Sequence, residues 1–308
     1  MTMLETFSAC VACAWSLSHS VIKVAYRWWW GACEIERICN HKKRPHDSDM
    51  SIAFLRCLSA SKQLQTCHKL VYFHRPFSVS VAVECIVVTK RLDRSKRYLI
   101  ANLSCCLRDL RYVNLGIFHL ERQRKTVFVS ANTGHTALLE KIWSGLMPDQ
   151  RFPGIVSVEW EAAGWQGRDP STDLRGMGLL ALELLSHFAT AHQPDARRCL
   201  KLSLEPYFPF CATGVVIGSF CMDLLLENRL HPSFLRRTQS SFDVQGTDVT
   251  AEEAKQAQVL IGLFHDLFSD MYIQFVDYWI SSSPSSVMDF PRIWIAFQNN
   301  KRVALPTY

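Results

Sequence analysis

This 308-residue chain has neither a glycine-rich phosphate loop nor a G-x-S-x-G nucleophile elbow, so it offers no common nucleotide-hydrolysing or acyl-transfer centre of its own. It lacks an internal repeat, which argues against a solenoid, and it carries no recognisable nucleic-acid-binding motif. Cysteine is not scarce, but its twelve residues are irregularly spaced, and no cleavable leader is expected at the start. They are therefore read as reduced thiols. Cys10-x2-Cys13 has no second pair, and Cys33, Cys39, His41 and His46 do not fall at the spacing of a common zinc module. Neither a metal nor a cofactor is expected. Asn102-Leu-Ser104 fits a glycosylation sequon, a pattern short enough to occur by chance.

What the chain does have is a hydrophobic content of 48%, enough for one large core or two modest ones. Its net charge of +6 is unevenly spread: residues 1–125 carry 20 Lys/Arg against 9 Asp/Glu, and residues 126–308 carry 14 against 19. A basic N-terminal half suits an anionic membrane leaflet through screened attraction. No Lys, Arg, Asp or Glu stands between Phe7 and Ile22, and Trp28-Trp29-Trp30 and Lys42-Lys43-Arg44 follow. Four serines and His19 dilute a run already shorter than a spanning helix needs. Interfacial anchoring through tryptophan and basic residues is the favoured reading, with a first helix packed on the domain and a true span as the alternatives.

Apolar spacing predicts helices over Leu55–Leu70, Ile100–Glu121, Thr136–Leu146 and Leu174–His192, and a buried segment over Val215–Leu226. Arg236–Asp248 reads as a polar loop, and Thr250-Ala-Glu-Glu253 as a capping box opening a helix that runs to about Ile280. Phe77–Thr89 is rich in valine and alternates at first, which by propensity suggests a strand.

The most informative stretch runs from Trp160 to Leu185. Gly164, Gly167 and Pro170 break regular structure, and Thr172 or Asp173 can cap a helix expected to begin near Leu174. That helix has almost no polar face, so it should be buried on most sides. Arg175 then falls in its first turn, where the macrodipole disfavours a cation by ~0.3 to 1 kcal/mol. Gly176 and Gly178 beside it weaken the helix but let another backbone or a phosphate approach closely. Pairing of Arg175 with Asp169 or Asp173 is the plain structural alternative. His187 and His192 read as partly exposed or satisfied residues at the C-terminal end of the same helix.

Read as a pattern, Trp160, Gly164, Trp165, Gln166, Gly167, Asp169, Pro170, Thr172, Asp173, Leu174, Arg175, Gly176 and Gly178 form W-x3-G-[aromatic]-Q-G-x-D-P-x-T-D-[apolar]-R-G-x-G-L-L. This resembles the signature of the ELMO domain in its small ELMO-domain-containing branch. Cys33, Glu34, Arg37, Ile38 and Cys39 resemble the C-E-[LI]-x-R-I-C stretch near the family's N-terminus, and Trp279, Pro284, Met288 and Phe290 its closing region. Trp165 and Leu174 replace residues more often Phe, and neither Asn nor Thr stands at the Val216 and Gly218 end of a segment usually written G-[apolar]-N-[apolar]-T.

The resemblance implies an all-α protein, and a helix over Phe77–Thr89, for which Pro76 is well placed as an opener. It implies residues 1–48 as a hydrophobic and basic N-terminal segment, 49–133 as a helical region and 134–300 as the ELMO domain. It further implies a GTPase-activating protein for an ARF-family or ARF-like small GTPase, acting on the GTP-bound form with Arg175 as the catalytic arginine. The other positions of the motif shape or support its loop. The chain is expected in the cytoplasm, peripheral on endomembranes. An adaptor or effector that docks a GTPase without catalysis is the rival; larger ELMO scaffolds for a Rac exchange factor lack the arginine.

The anchoring expectation can be checked by co-sedimentation with liposomes. Removing residues 1–48 should abolish binding to anionic vesicles; retained binding, or loss of folding, would contradict it.

Overall fold

The computed structural model describes residues 32–40, 47–72, 77–174, 176–205, 207–238 and 249–305. The Phe7–Ile22 run, the tryptophan cluster, Lys42-Lys43-Arg44, His41, His46, Pro76, Arg175 and residues 239–248 lie outside them. The chain is all-α: among the described residues there is no sheet, only one isolated bridge between Leu204 and Tyr207. It divides into two compact units, residues 1–68 with 78–107, and residues 69–77 with 108–308.

In the first unit α1 (Glu34–Cys39) buries Ile35 and Cys39 and packs on α2 (Ser48–Ala60), whose first turn is capped by the Asp47 carboxylate accepting from the Met50 amide at 2.7 Å. Asn102 donates to the Cys39 carbonyl at 2.8 Å, and Lys96 pairs with Glu36. Residues 34–39 of the segment expected to anchor thus belong to a core, so the anchoring expectation narrows to residues 1–31 and the deletion that tests it stops there.

The helix expected over Leu55–Leu70 is instead α2, a 3₁₀ turn (Lys62–Leu64) and α3 (Gln65–Tyr72). α4 (Val79–Lys90) is a helix in spite of its valines. The Ser78 hydroxyl accepts from the Val81 amide, and Ala82, Ile86 and Val87 form one buried stripe while Val81 and Val88 face water. Burial at helical spacing outweighs β propensity here.

α5 (Arg97–Lys125) carries Leu99, Leu103, Leu107, Leu110, Val113, Ile117 and Leu120, all essentially buried, at intervals of three and four residues. Residues 97–107 of it lie in the first unit and 108–125 in the second. Near its middle Arg111 makes a two-pronged ion pair with Glu253, at 2.8 and 2.9 Å.

The second unit is built around α7 (Gly178–Ala191), packed between α6 (Thr133–Leu146), α9 (Phe210–Leu226) and α11 (Val249–Ser281). α9 begins five residues earlier than its apolar core suggests. Phe188, Phe210 and Tyr272 pack ring against ring at the centre, and the Tyr272 hydroxyl donates to the Phe210 carbonyl at 2.7 Å, satisfying the one polar atom that ring would otherwise bury. α8 (Gln193–Leu202), α10 (His231–Thr238) and α12 (Phe290–Ala304) complete the described helices.

Two sequence expectations need correction. Part of the stretch read as a polar loop from Arg236 is the end of α10. Thr250 does not cap α11, because Val249 is already helical, and Glu253 serves Arg111.

α6 and α7 meet backbone to backbone at Gly145, where a Cβ would collide with the Ala189 carbonyl. Gly145→Ala should therefore lower stability by ~1 to 3 kcal/mol, through forced separation of the two helices. Gly262, in α11, has nothing within 4 Å of an added Cβ, so Gly262→Ala should stabilise by up to ~1 kcal/mol. Thermal unfolding of both variants checks the pair; shifts of the same sign would contradict this packing.

Candidate functional site

The Trp160–Gly178 segment is anchored from its indole end. A 3₁₀ turn (Val158–Ala163) opens on Ser157, whose hydroxyl accepts from the Glu159 amide at 3.2 Å. The Ser157 amide in turn donates to the Arg168 carbonyl at 2.9 Å, closing the loop on itself. Trp160 is fully buried, meets Trp143 and Trp165 edge to face at 5.1 and 6.4 Å between centroids, and donates its indole N–H to Gly154 at 3.0 Å. Gly164 lies against the backbone of Phe210, and its carbonyl accepts from the Ala212 amide at 3.2 Å. The loop is thereby fixed to the start of α9.

A second 3₁₀ turn (Pro170–Asp173) follows, with Asp169 as its cap: the Asp169 carboxylate accepts from the Ser171 amide at 2.9 Å, and the Thr172 hydroxyl donates to the Asp169 carbonyl at 2.8 Å. Pro170 is buried beneath it. Asp173 does not cap α7; its carboxylate reaches back to accept from the Gln166 amide at 2.8 Å. It also lies close enough to Cys211 to add to the effect of burial, the larger cause, in pushing that thiol well up, which keeps it protonated and unreactive. The Gln166 side chain is exposed and Gly167 is open to an added Cβ, so both shape the loop surface and not its interior.

α7 itself starts at Gly178, later than the expected Leu174, and its cap position, Met177, offers no side-chain acceptor. The free amides find backbone partners instead. Met177 and Gly178 donate to the Leu174 carbonyl at 3.1 and 2.8 Å, and Leu179 donates to the Thr126 carbonyl, at the end of α5, at 2.9 Å. Gly178 has φ of +50°, and a Cβ there would collide with the carbonyls of Thr126 and Arg124. What comes close to this glycine is thus the chain's own backbone and not a phosphate. Gly176 has φ of +85°, is exposed and faces open space. Glycine is needed there for conformation and not for room. Its carbonyl accepts from Arg124 Nε at 2.9 Å.

Arg175 lies outside the described residues, yet both neighbours are held. Leu174 and Met177 are buried, and Gly176 is tied to Arg124. The structure brings Asp169, Pro170, Thr172 and Asp173 into one turn and places Gly176 and Gly178 on the α5 terminus. Arg124, Thr126 and Ser157 were missed by sequence reasoning. Each acts across 10 to 60 positions of chain, and a single sequence carries no periodic or spacing signal for such contacts.

Residues 118–294 match the ELMO/CED-12 family model, more than half of the chain. The chain is 33% identical over 180 residues to ELMO domain-containing protein B of Dictyostelium discoideum, a match covering 58% of this chain and only 56% of that protein. It is 28% identical over 292 residues to human ELMO domain-containing protein 1, covering 85% of this chain and 81% of the relative. With human ELMO domain-containing protein 2 it shares 27% identity over 267 residues, covering 84% and 82%. No solved structure matches.

The two ends of the loop should differ in weight. Asp173→Ala removes one bond to a backbone amide and should destabilise by ~1 kcal/mol. Gly178→Ala meets both an unfavourable φ and two carbonyls, and should lose ~2 to 4 kcal/mol. Chemical denaturation measures both; equal or reversed effects would contradict the anchoring described.

Proposed function

The chain belongs to the ELMO/CED-12 family, and from that premise we propose that it is a GTPase-activating protein for an ARF-family or ARF-like small GTPase, inserting Arg175 in trans. The observation that carries the reading is the construction around that position. The chain fastens both sides of residue 175 through Asp173 and Gln166 on one side and Arg124 and Gly176 on the other. Next to it stands a glycine with φ of +85° and nothing in front of it. A loop clamped at its ends and bare on its face is suited to presenting a single side chain to a partner.

GTP hydrolysis is slow because negative charge builds on the transferring phosphoryl oxygens with too little positive charge nearby. An arginine delivered into a water-excluded interface meets that charge, and in trans it contributes ~10³ to 10⁵ in rate, roughly 4 to 7 kcal/mol. Its planar fork can donate to a phosphoryl oxygen and a backbone carbonyl together, which the point charge of lysine cannot do. The loop tethers serve the same end, since a backbone already fixed on either side of residue 175 loses less freedom on docking. Nucleotide and magnesium belong to the GTPase on this reading. Gln166, Arg168 and Thr172 are exposed on the same loop, and Val156 and Val158 present apolar surface beside it, so the partner would meet a mixed patch.

Single-turnover GTP hydrolysis on an ARF-like GTPase tests the proposal. Arg175→Lys should remove most of the stimulation with the circular dichroism unchanged, and Arg175→Ala should do so without lowering the melting temperature. Undiminished stimulation by the lysine variant would contradict the finger; a marked loss of melting temperature in the alanine variant would make the arginine a structural tie to Asp169 or Asp173.

A further inference from the structure

We propose that His187, His192 and Asp266 form a binding site for a divalent transition metal of the zinc class, at the far end of α7 from the loop. Among the described residues this is the only group of three or more His, Cys, Asp or Glu whose donor atoms converge, all within 4.8 Å of one another. His187 projects from α7, and α7 stops at Ala191, so the backbone at His192 (φ −117°, ψ 37°) has left the helix before Gln193 opens α8. That break brings two imidazoles five positions apart to the same side, their centroids 5.5 Å apart. Asp266 faces them from α11.

Both imidazoles aim Nε2 at one carboxylate oxygen, His187 at 2.8 Å and His192 at 3.4 Å from Asp266 Oδ1. A half-exposed ion pair needs one histidine, and a second aimed at the same atom adds little in such a setting. Two nitrogens and an oxygen directed at a common point are what a zinc ion requires. Zinc holds nitrogen and oxygen at ~2.0 to 2.2 Å, so its ligands lie ~3.4 Å apart. Reaching that arrangement from 4.8 Å asks for side-chain movement of about an ångström, and the three side chains, 26%, 30% and 48% exposed, have room to make it. The exposed edge leaves a fourth position for water. The ring of His265 lies 5.3 Å from that of His187, with a buried Nε2 that meets no hydrogen-bond partner among the described residues, which adds a further imidazole beside the site. All the ligands stand on, or directly after, packed helices, so bound metal would clip the end of α7 to α11.

The inference is independent of the GTPase reading, and its test needs no GTPase. The full chain, stripped with chelator and kept reduced, is titrated with cobalt(II), followed by visible absorption, and then with zinc in competition. One cobalt per chain should bind, without the intense near-ultraviolet charge-transfer band that thiolate ligation would give, and zinc should displace it. Zinc at a hundredfold excess over its Kd should raise the melting temperature. His192→Gln and Asp266→Asn should each weaken binding at least tenfold while keeping the circular dichroism of the parent. Absence of saturable binding, a thiolate band at stoichiometric cobalt, or parental affinity in Asp266→Asn would overturn the proposal.

Discussion

The second unit depends on one docking contact: the first residue of α7, Gly178, seated on the carbonyl oxygens of Arg124 and Thr126. α7 is apolar on nearly every side, so it must be enclosed by α6, α9 and α11, yet its N-terminal amides still need partners where no side-chain cap is present. The end of α5 supplies one of them, the Thr126 carbonyl to Leu179, and can come that close only because residue 178 has no Cβ. Arg124, leaving the same helix end, then secures Gly176. A packing requirement of the core thereby fixes the C-terminal side of the loop that carries Arg175.

The same economy holds on the other side of the loop. Asp169 and Asp173 each accept from a backbone amide, Ser171 in one case and Gln166 in the other. Among the described residues, the turn from Gln166 to Asp173 is held by local bonds to its own backbone. On the proposed function, these bonds fix the turn that leads into residue 175.

Much of this was legible in the sequence. The three-to-four spacing of Leu103, Leu107, Leu110, Val113 and Ile117 gave the long α5, and the near-continuous apolar run gave α7 as a core helix. The valine-rich α4 shows where residue preference alone misleads, because the Ser78 cap and the Ala82, Ile86 and Val87 stripe depend on what the segment packs against. The start of α7 was misplaced at Leu174 since Thr172 and Asp173 look like caps, whereas the amides are met by the Leu174 and Thr126 carbonyls, and backbone acceptors leave no mark on sequence. Gly176 and Gly178 were recognisable as special, but that one answers to φ and the other also to a close approach emerges only in three dimensions. The meeting of His187 and His192 with Asp266 was hidden for the same reason, the third member lying on another helix.

The central claim, that Arg175 stabilises charge in a partner's transition state, is tested most directly by the nucleotide state to which the protein binds. An ARF-like GTPase carrying GDP and aluminium fluoride mimics the planar phosphoryl in transfer, while one carrying a non-hydrolysable GTP analogue mimics the ground state. Binding measured against both should favour the aluminium fluoride state by at least tenfold, with the preference lost in Arg175→Ala. Equal affinity for the two states, or a preference for the GTP analogue that survives Arg175→Ala, would contradict the account and describe an effector.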